Sequence, residues 1–406
     1  MNLQVLTRNF TPYLRKIISA ILLTSGTLAW FFVFQLNTND IFRRIVSDPS
    51  WVIVAHIIFY TVCILSAIVG SLFAKKVSHQ NFLSAWIVLG LFSTISLIFF
   101  QGPTFTVIVS VLLAISFGLG LPGSMAMLAD STQIEKRGRV SGITILLTFI
   151  MAFIALALQR AFGGGTTNLL LFMVVIRSIS ILGLIRYKGL KDVKISQSKF
   201  QQSKLQEFIF YIIPWVIFTV SAGLAWNQVP GTVEYSFAKN IGTILRYMFI
   251  ALFGIIWGIV ADRIGRKQPI YIGLILLGVS FALLGFAMSP FSVFVYLSLS
   301  GVAWGSFFTM YLIIPGDLSK QGSREWFYAI GTISPIIILF GLNLIPEDLT
   351  KIFSESSFSQ ILSLILFLAI IPVNRAKETL EESKIRQRKL KNYTEKVGKI
   401  IQESKE

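Results

Sequence analysis

The sequence predicts an all-α polytopic membrane protein whose twelve transmembrane helices fall into two pseudo-symmetric six-helix halves. Three observations carry that prediction. The 406-residue chain is 54% hydrophobic and only 14% charged, whereas a soluble domain carries about 25% charged residues. Its apolar residues gather into runs of the ~20 residues that a helix needs to cross a bilayer. Landmarks of the first half also recur in the second at a nearly constant offset. In lipid the backbone must satisfy its own hydrogen bonds, so runs of this length are helices.

The elements follow in chain order. Arg8, Arg15 and Lys16 precede the apolar run Ile17 to Phe34 of the first candidate span, 14–36, as in a signal peptide. No small-residue cleavage site follows, so the run is expected to stay as span one. Spans two to six cover 51–73, 81–101, 104–128, 139–160 and 167–186. Gln101-Gly102-Pro103 makes the tight turn between spans three and four, because proline cannot continue the preceding helix. Span four contains Gly118, Gly120 and Pro122, which read as a kink and a close helix contact rather than a dinucleotide loop, since no strand precedes them. A basic, Ser- and Gln-rich stretch over 187–205 separates the halves. Spans seven to twelve cover 206–227, 241–261, 269–288, 290–315, 326–345 and 354–373, with Ser289-Pro290 as the turn before span ten. The expected organisation is a first bundle at 1–186, a linker at 187–205, a second bundle at 206–373 and a basic tail at 374–406. The tail reads as a solvated or lipid-skimming helix.

Charge sets the orientation. Putting the N-terminus in the cytoplasm leaves only Arg43, Arg44, Arg160, Lys239 and Lys351 among the Lys and Arg residues of outer loops. Nearly all the others then fall on the cytoplasmic side, as the positive-inside rule requires. A cell-membrane protein with both termini cytoplasmic is expected. The net charge of +17 follows from proximity to an anionic leaflet and calls for no nucleic acid. Cys63 has no possible disulfide partner in the chain, and His56 and His79 fall on opposite membrane sides. No metal-ligand cluster or catalytic triad is present, so neither an enzyme nor a cofactor is expected.

The halves echo each other. Gly70 ends span two as Gly258 ends span eight, and Asp130 follows span four as Asp317 follows span ten, at offsets that agree within one residue. Each aspartate is followed by a cation that opens the next span, Arg139 and Arg324. Such register suggests a parallel duplication. Between spans eight and nine stands GIVADRIGRK, Gly258 to Lys267. This stretch resembles motif A of the major facilitator superfamily, G-x-x-x-D-[RK]-x-G-[RK]-[RK], at Gly258, Asp262, Arg263, Gly265, Arg266 and Lys267. The resemblance extends with the span count to about Asn374. The first-half counterpart, Gly70 to His79, keeps Gly70 and Lys75 but has Ala74 where the acid belongs.

Residue chemistry and the resemblance together imply roles. Gly258 allows close helix approach, and Gly265 allows the turn. Asp262 is suited to free N–H groups at a helix start; the superfamily pattern places that start in the opposite half, near Gly138 to Gly142. Arg266 is expected to reach Asp317, and Arg263 and Lys267 to meet lipid phosphates. The resemblance implies a transporter of a small solute working by alternating access, expected as a monomer in the lipid bilayer. The alternative is a transporter-like scaffold or sensor. Spans one, four, seven and ten would line the path, which nominates Trp30, Gln35, Trp215, Trp304 and Tyr311. Arg246 in span eight offers a guanidinium to an anion, against a snorkelling reading or a pairing with Glu234. No Asp or Glu lies mid-span, which favours a uniporter, or coupling through another ion or an anion, over proton coupling; the weakly polar, aromatic path-lining residues suit an amphipathic organic solute better than a bare ion. Arg177, midway along span six, is expected to be structural.

Overall fold

The computed structural model describes residues 3–73, 79–187, 202–225, 232–343, 356–381 and 394. Fifteen helices are described: α1 (Leu3–Leu36), α2 (Thr38–Ile45), α3 (Pro49–Phe73), α4 (His79–Phe99), α5 (Pro103–Gly118), α6 (Leu121–Asp130), α7 (Arg137–Ala161), α8 (Thr166–Tyr187), α9 (Gln202–Ala225), α10 (Val233–Ile264), α11 (Lys267–Phe286), α12 (Pro290–Leu318), α13 (Arg324–Asn343), α14 (Ser356–Leu368) and α15 (Ile370–Arg375). They make 12 segments long and apolar enough to cross a membrane. Linker residues 188–201, the loop 74–78 that holds Ala74 and Lys75, and the tail beyond Glu381 except Thr394 lie outside the described residues.

Local chemistry sets the ends. Gly102 adopts φ 110°, a region open to glycine, and Pro103 begins α5 where a missing N–H costs nothing. Ser289 caps α12 by accepting from the Ser292 N–H, and the Ser292 hydroxyl accepts from the Ser289 N–H in return. Span four breaks between α5 and α6. Gly118 there packs on Cys63 and Ser66, Gly120 lies on the Trp86 ring, and Gly70 of α3 abuts the Leu119 carbonyl. Two departures from the sequence reading have simple causes. Helix α2, taken as loop, buries Ile41, Phe42 and Ile45 on one face, while Arg44 donates to the Leu97 and Ile98 carbonyls at the end of α4. Helix α10 starts at Val233 rather than 241, because the charges of Glu234 and Lys239 end an apolar run without ending a helix.

Two cores result. One joins side chains of α1 to α8 and recruits Ile250, Leu312, Tyr328 and Ile336 from the second half; the other joins α9 to α15. The halves meet where α7 packs on α10 and α3 packs on α13. Those are spans five against eight and two against eleven, the pairs a two-fold relation requires. Val88, Phe92, Val175, Leu252 and Leu364 are exposed on the outside, where lipid replaces water as the solvent.

Candidate functional site

The motif loop closes one end of the interface between the halves. A Cβ on Gly258 would overlap the Gly138 carbonyl, and one on Gly138 would overlap the Gly258 carbonyl. One turn on, a Cβ on Gly142 would lie 2.6 Å from the Gly254 carbonyl. The start of α7 and the end of α10 therefore touch backbone to backbone. This brings the Asp262 carboxylate, fully buried, onto the free donors of the first turn of α7. Oδ1 accepts from the Gly138 N–H at 2.8 Å and Oδ2 from the Arg139 N–H at 3.0 Å. The Arg139 side chain is 53% exposed, with Nε 3.6 Å from Asp262. Helix starts leave such N–H groups unpaired and carry partial positive charge, so an anion there is favoured twice over.

Arg266 ties this contact to a second acid. Its Nε donates to Asp317 Oδ2 at 3.0 Å and its Nη1 to Asp262 Oδ1 at 3.0 Å. Its Nη2 crosses to the Ile134 carbonyl of the first half at 2.6 Å. Burial works against the guanidinium charge, but Asp317 and Asp262 outweigh it and raise the Arg266 pKa above its ordinary value. Gly265, at φ 112°, lets the chain turn between α10 and α11. Arg263 is exposed.

Two further ion pairs cross the halves in a reciprocal pattern. Arg137 of α7 pairs with Asp317 of α12, and Arg324 of α13 pairs with Asp130 of α6. Arg137 also donates to the Ala129 carbonyl at 2.9 Å and is 1% exposed. By sequence the cation that follows Asp130, as Arg324 follows Asp317, is Arg139; in the structure the residue that mirrors Arg324 across the halves is Arg137. The signal was present, since Arg137 and Arg324 stand at the same offset as Asp130 and Asp317. Arg137 went unnoticed because it sits in a loop already rich in cations.

A strap from the chain after α15 lies over the loop. Glu378 accepts from the Arg266 N–H at 2.8 Å and the Lys267 N–H at 3.2 Å, which caps α11. The Thr379 hydroxyl donates to Asp317 at 3.1 Å. Lys267, expected to face lipid phosphates, instead donates to the Asn374 and Ala376 carbonyls at 3.0 and 2.9 Å. Leu380 is 1% exposed. This part of the tail is packed rather than solvated; Leu390, Tyr393, Val397 and Ile400, the proposed helix face, lie outside the described residues.

Between the halves lies a cavity of about 260 Å³. Gln35, Trp215, Arg246, Trp304 and Tyr311 line it, with phenylalanines from α1, α5, α7 and α12. Trp215 stacks on Tyr311 at 4.3 Å between ring centroids and donates to the Gly331 carbonyl at 3.2 Å. Gln35 donates to the Tyr60 hydroxyl at 2.7 Å, while its Oε1 and the Trp304 Nε1 have no hydrogen-bond partner. Among the described residues of the lining Arg246 is the one with a charged side chain. It stands 12 residues, or roughly 18 Å of helix, from Glu234, too far for a pair. Trp30 does not line the cavity. It stands behind the wall, donating to Thr94 at 3.0 Å, with Arg177 over its ring at 5.2 Å. Among the described residues no His, Cys, Asp and Glu cluster could hold a metal ion.

Known proteins show the same architecture. The E. coli fucose:proton symporter FucP superposes with a TM-score of 0.70 at 12% identity, covering 89% of this chain and 99% of its own. The proton:xylose symporter XylE, bound to 6-bromo-6-deoxy-D-glucose, gives 0.65 at 14% identity, covering 91% and 96%. A bacterial homologue of the iron transporter ferroportin, in an outward-facing state, gives 0.65 at 17% identity, covering 90% and 98%. At such identities the likeness shows the fold alone. No curated protein matches the chain in sequence. The sequence profile of the Major Facilitator Superfamily matches residues 17–324, and the chain therefore belongs to that superfamily of membrane proteins.

Proposed function

We propose that this chain is a transporter that carries an amphipathic organic anion across the cell membrane by alternating access. The observation that carries the reading is the cavity between the halves, walled by aromatic rings and holding one charged side chain, Arg246. Ligand sites combine apolar walls with a few polar groups that fix orientation. Here the rings would take the apolar body of a solute and the guanidinium its acid group. A sugar, as carried by two of the structural neighbours, would leave most hydroxyls unmatched, at about 1–3 kcal/mol each. An iron ion would find no acid, His or Cys among the described residues of the lining.

Movement follows from the other site. Residues 1–186 and 206–373 would rock as two bodies, and the contacts around Asp262 and Asp317 would hold one end shut in one state and part in the other. The distribution of Lys and Arg supports placing that end, and both termini, in the cytoplasm. Binding of naphthalene-1-sulfonate, followed by quenching of tryptophan fluorescence, tests the site. Arg246→Lys keeps the charge but loses the planar fork, so affinity should fall roughly tenfold. Equal affinity in that variant would remove Arg246 from the binding site.

A further inference from the structure

Arg177 is a second cation deep inside a span, and nothing described so far uses it. It lies midway along α8, roughly 15 Å of helix from either end, and is fully buried. The acids of residues 1–186 are Asp40, Asp48, Asp130 and Glu135, and all four sit at or beyond helix ends. The charge therefore has no carboxylate near it in its own half. Neutral groups hold it instead. The guanidinium lies 4.3 Å from the Trp86 ring centroid and 5.2 Å from that of Trp30. It donates to the Thr27 hydroxyl at 2.7 Å and the Ser116 carbonyl at 3.3 Å, and its Nε has no hydrogen-bond partner. A Cβ on Gly90 would come within 2.6 Å of that Nε, so the glycine makes the room.

A structural clamp between helices would be served by a neutral hydrogen-bonding side chain, without the cost of placing an uncompensated charge in a low dielectric. The location is informative. Thr27 and Ser116, its two hydrogen-bond acceptors, directly precede Leu28 and Phe117, which line the cavity. Phe117 stacks on Phe31, another lining ring, with centroids 3.7 Å apart. The guanidinium thus stands one side-chain layer behind the first-half wall, while Arg246 stands in the second-half wall.

We propose that Arg177 is a specificity-determining residue that acts through the wall: its fixed charge, with no acid of its own half to cancel it, makes the cavity select anions over neutral solutes of the same shape. This inference rests on the transporter reading above. A unit charge roughly 10 Å away across an effective dielectric of about 20 changes an anion's affinity on the order of ten- to twentyfold. It leaves a neutral solute untouched.

Thr27→Asp separates charge from packing. It places a carboxylate, on a side chain only one heavy atom larger, where the Arg177 Nη1 already donates, so the guanidinium keeps a partner while its charge is cancelled. The full-length chain, purified in detergent, is titrated with naphthalene-1-sulfonate and with neutral naphthalene-1-sulfonamide. Thr27→Asp should weaken sulfonate binding about tenfold and leave sulfonamide binding within twofold. Arg177→Gln should give the same loss of selectivity, with sulfonamide binding reporting that the variant is folded. A sulfonate-to-sulfonamide ratio unchanged in both variants, or an equal loss for both ligands, overturns the proposal and makes Arg177 structural. Failure of wild type to bind the sulfonate, or indifference of that binding to Arg246→Lys, defeats instead the reading of the cavity as an anion site built on Arg246.

Discussion

Asp262→Asn removes one charge and leaves nearly the same shape. In the wild type the carboxylate accepts two N–H bonds from the start of α7, at 2.8 and 3.0 Å, and one from Arg266 at 3.0 Å. An asparagine keeps one acceptor, while its amide points a donor at groups that are themselves donors. Hydrogen bonds to a charged group are worth about 1.5–3 kcal/mol, and an anion at a partly buried helix start up to about 2 kcal/mol. These contributions overlap, and Arg266 keeps Asp317, so a net loss of about 2–3 kcal/mol is expected. That is roughly a 30- to 160-fold change in the ratio of shut to open at this end, enough to bring a population of about 99% shut near one half. Spin labels at Gln133→Cys and Gln268→Cys, both exposed and in opposite halves, report the separation; Cys63 is buried and stays unlabelled. A second, longer distance should appear or grow in Asp262→Asn. Identical distance distributions in variant and wild type would refute the switching role of the contact.

Two more outcomes follow from the same end of the molecule. Glu378→Ala uncaps α11 at a cost of about 1 kcal/mol, so the Arg266 and Lys267 amides should exchange hydrogen roughly fivefold faster, and unchanged exchange would dismiss the strap as a cap. Gly138→Ala forces a Cβ against the Gly258 carbonyl and the Asp262 carboxylate. That should cost about 1–3 kcal/mol, lower the thermal midpoint and increase the longer spin-label distance. Gly165→Ala, with open space around it, should do neither.

Much of this was readable from the chain, and for definable reasons. Spans come from apolar runs, which lipid makes nearly obligatory. The target of Asp262 was readable because a helix start is a general anion site and the resemblance to the superfamily's motif named which one. Arg266 reaching Asp317 was readable because that acid directly follows span ten, on the same membrane side of the same half. Other features left no distinct mark. Arg137 was one cation in a basic loop, and only its offset from Arg324 sets it apart. Glu378 and Thr379 sit in a highly charged tail, where composition argues for solvation and hides a packed strap. Trp30 shares its span with the cavity-lining Leu28, Phe31 and Gln35, and which face of a mostly apolar helix meets the cavity is fixed by its neighbours, not by its own pattern.

The central claim is that the chain moves an organic anion rather than merely binding one. Uptake of labelled naphthalene-1-sulfonate into vesicles containing the purified protein measures this directly, because the permanent charge keeps the probe from crossing lipid unaided. The account predicts saturable uptake well above that of protein-free vesicles, faster when unlabelled sulfonate is preloaded inside, and strongly reduced in Arg246→Lys. Uptake equal to that of protein-free vesicles, with sulfonate binding intact, would contradict it and leave the fold as a scaffold or sensor.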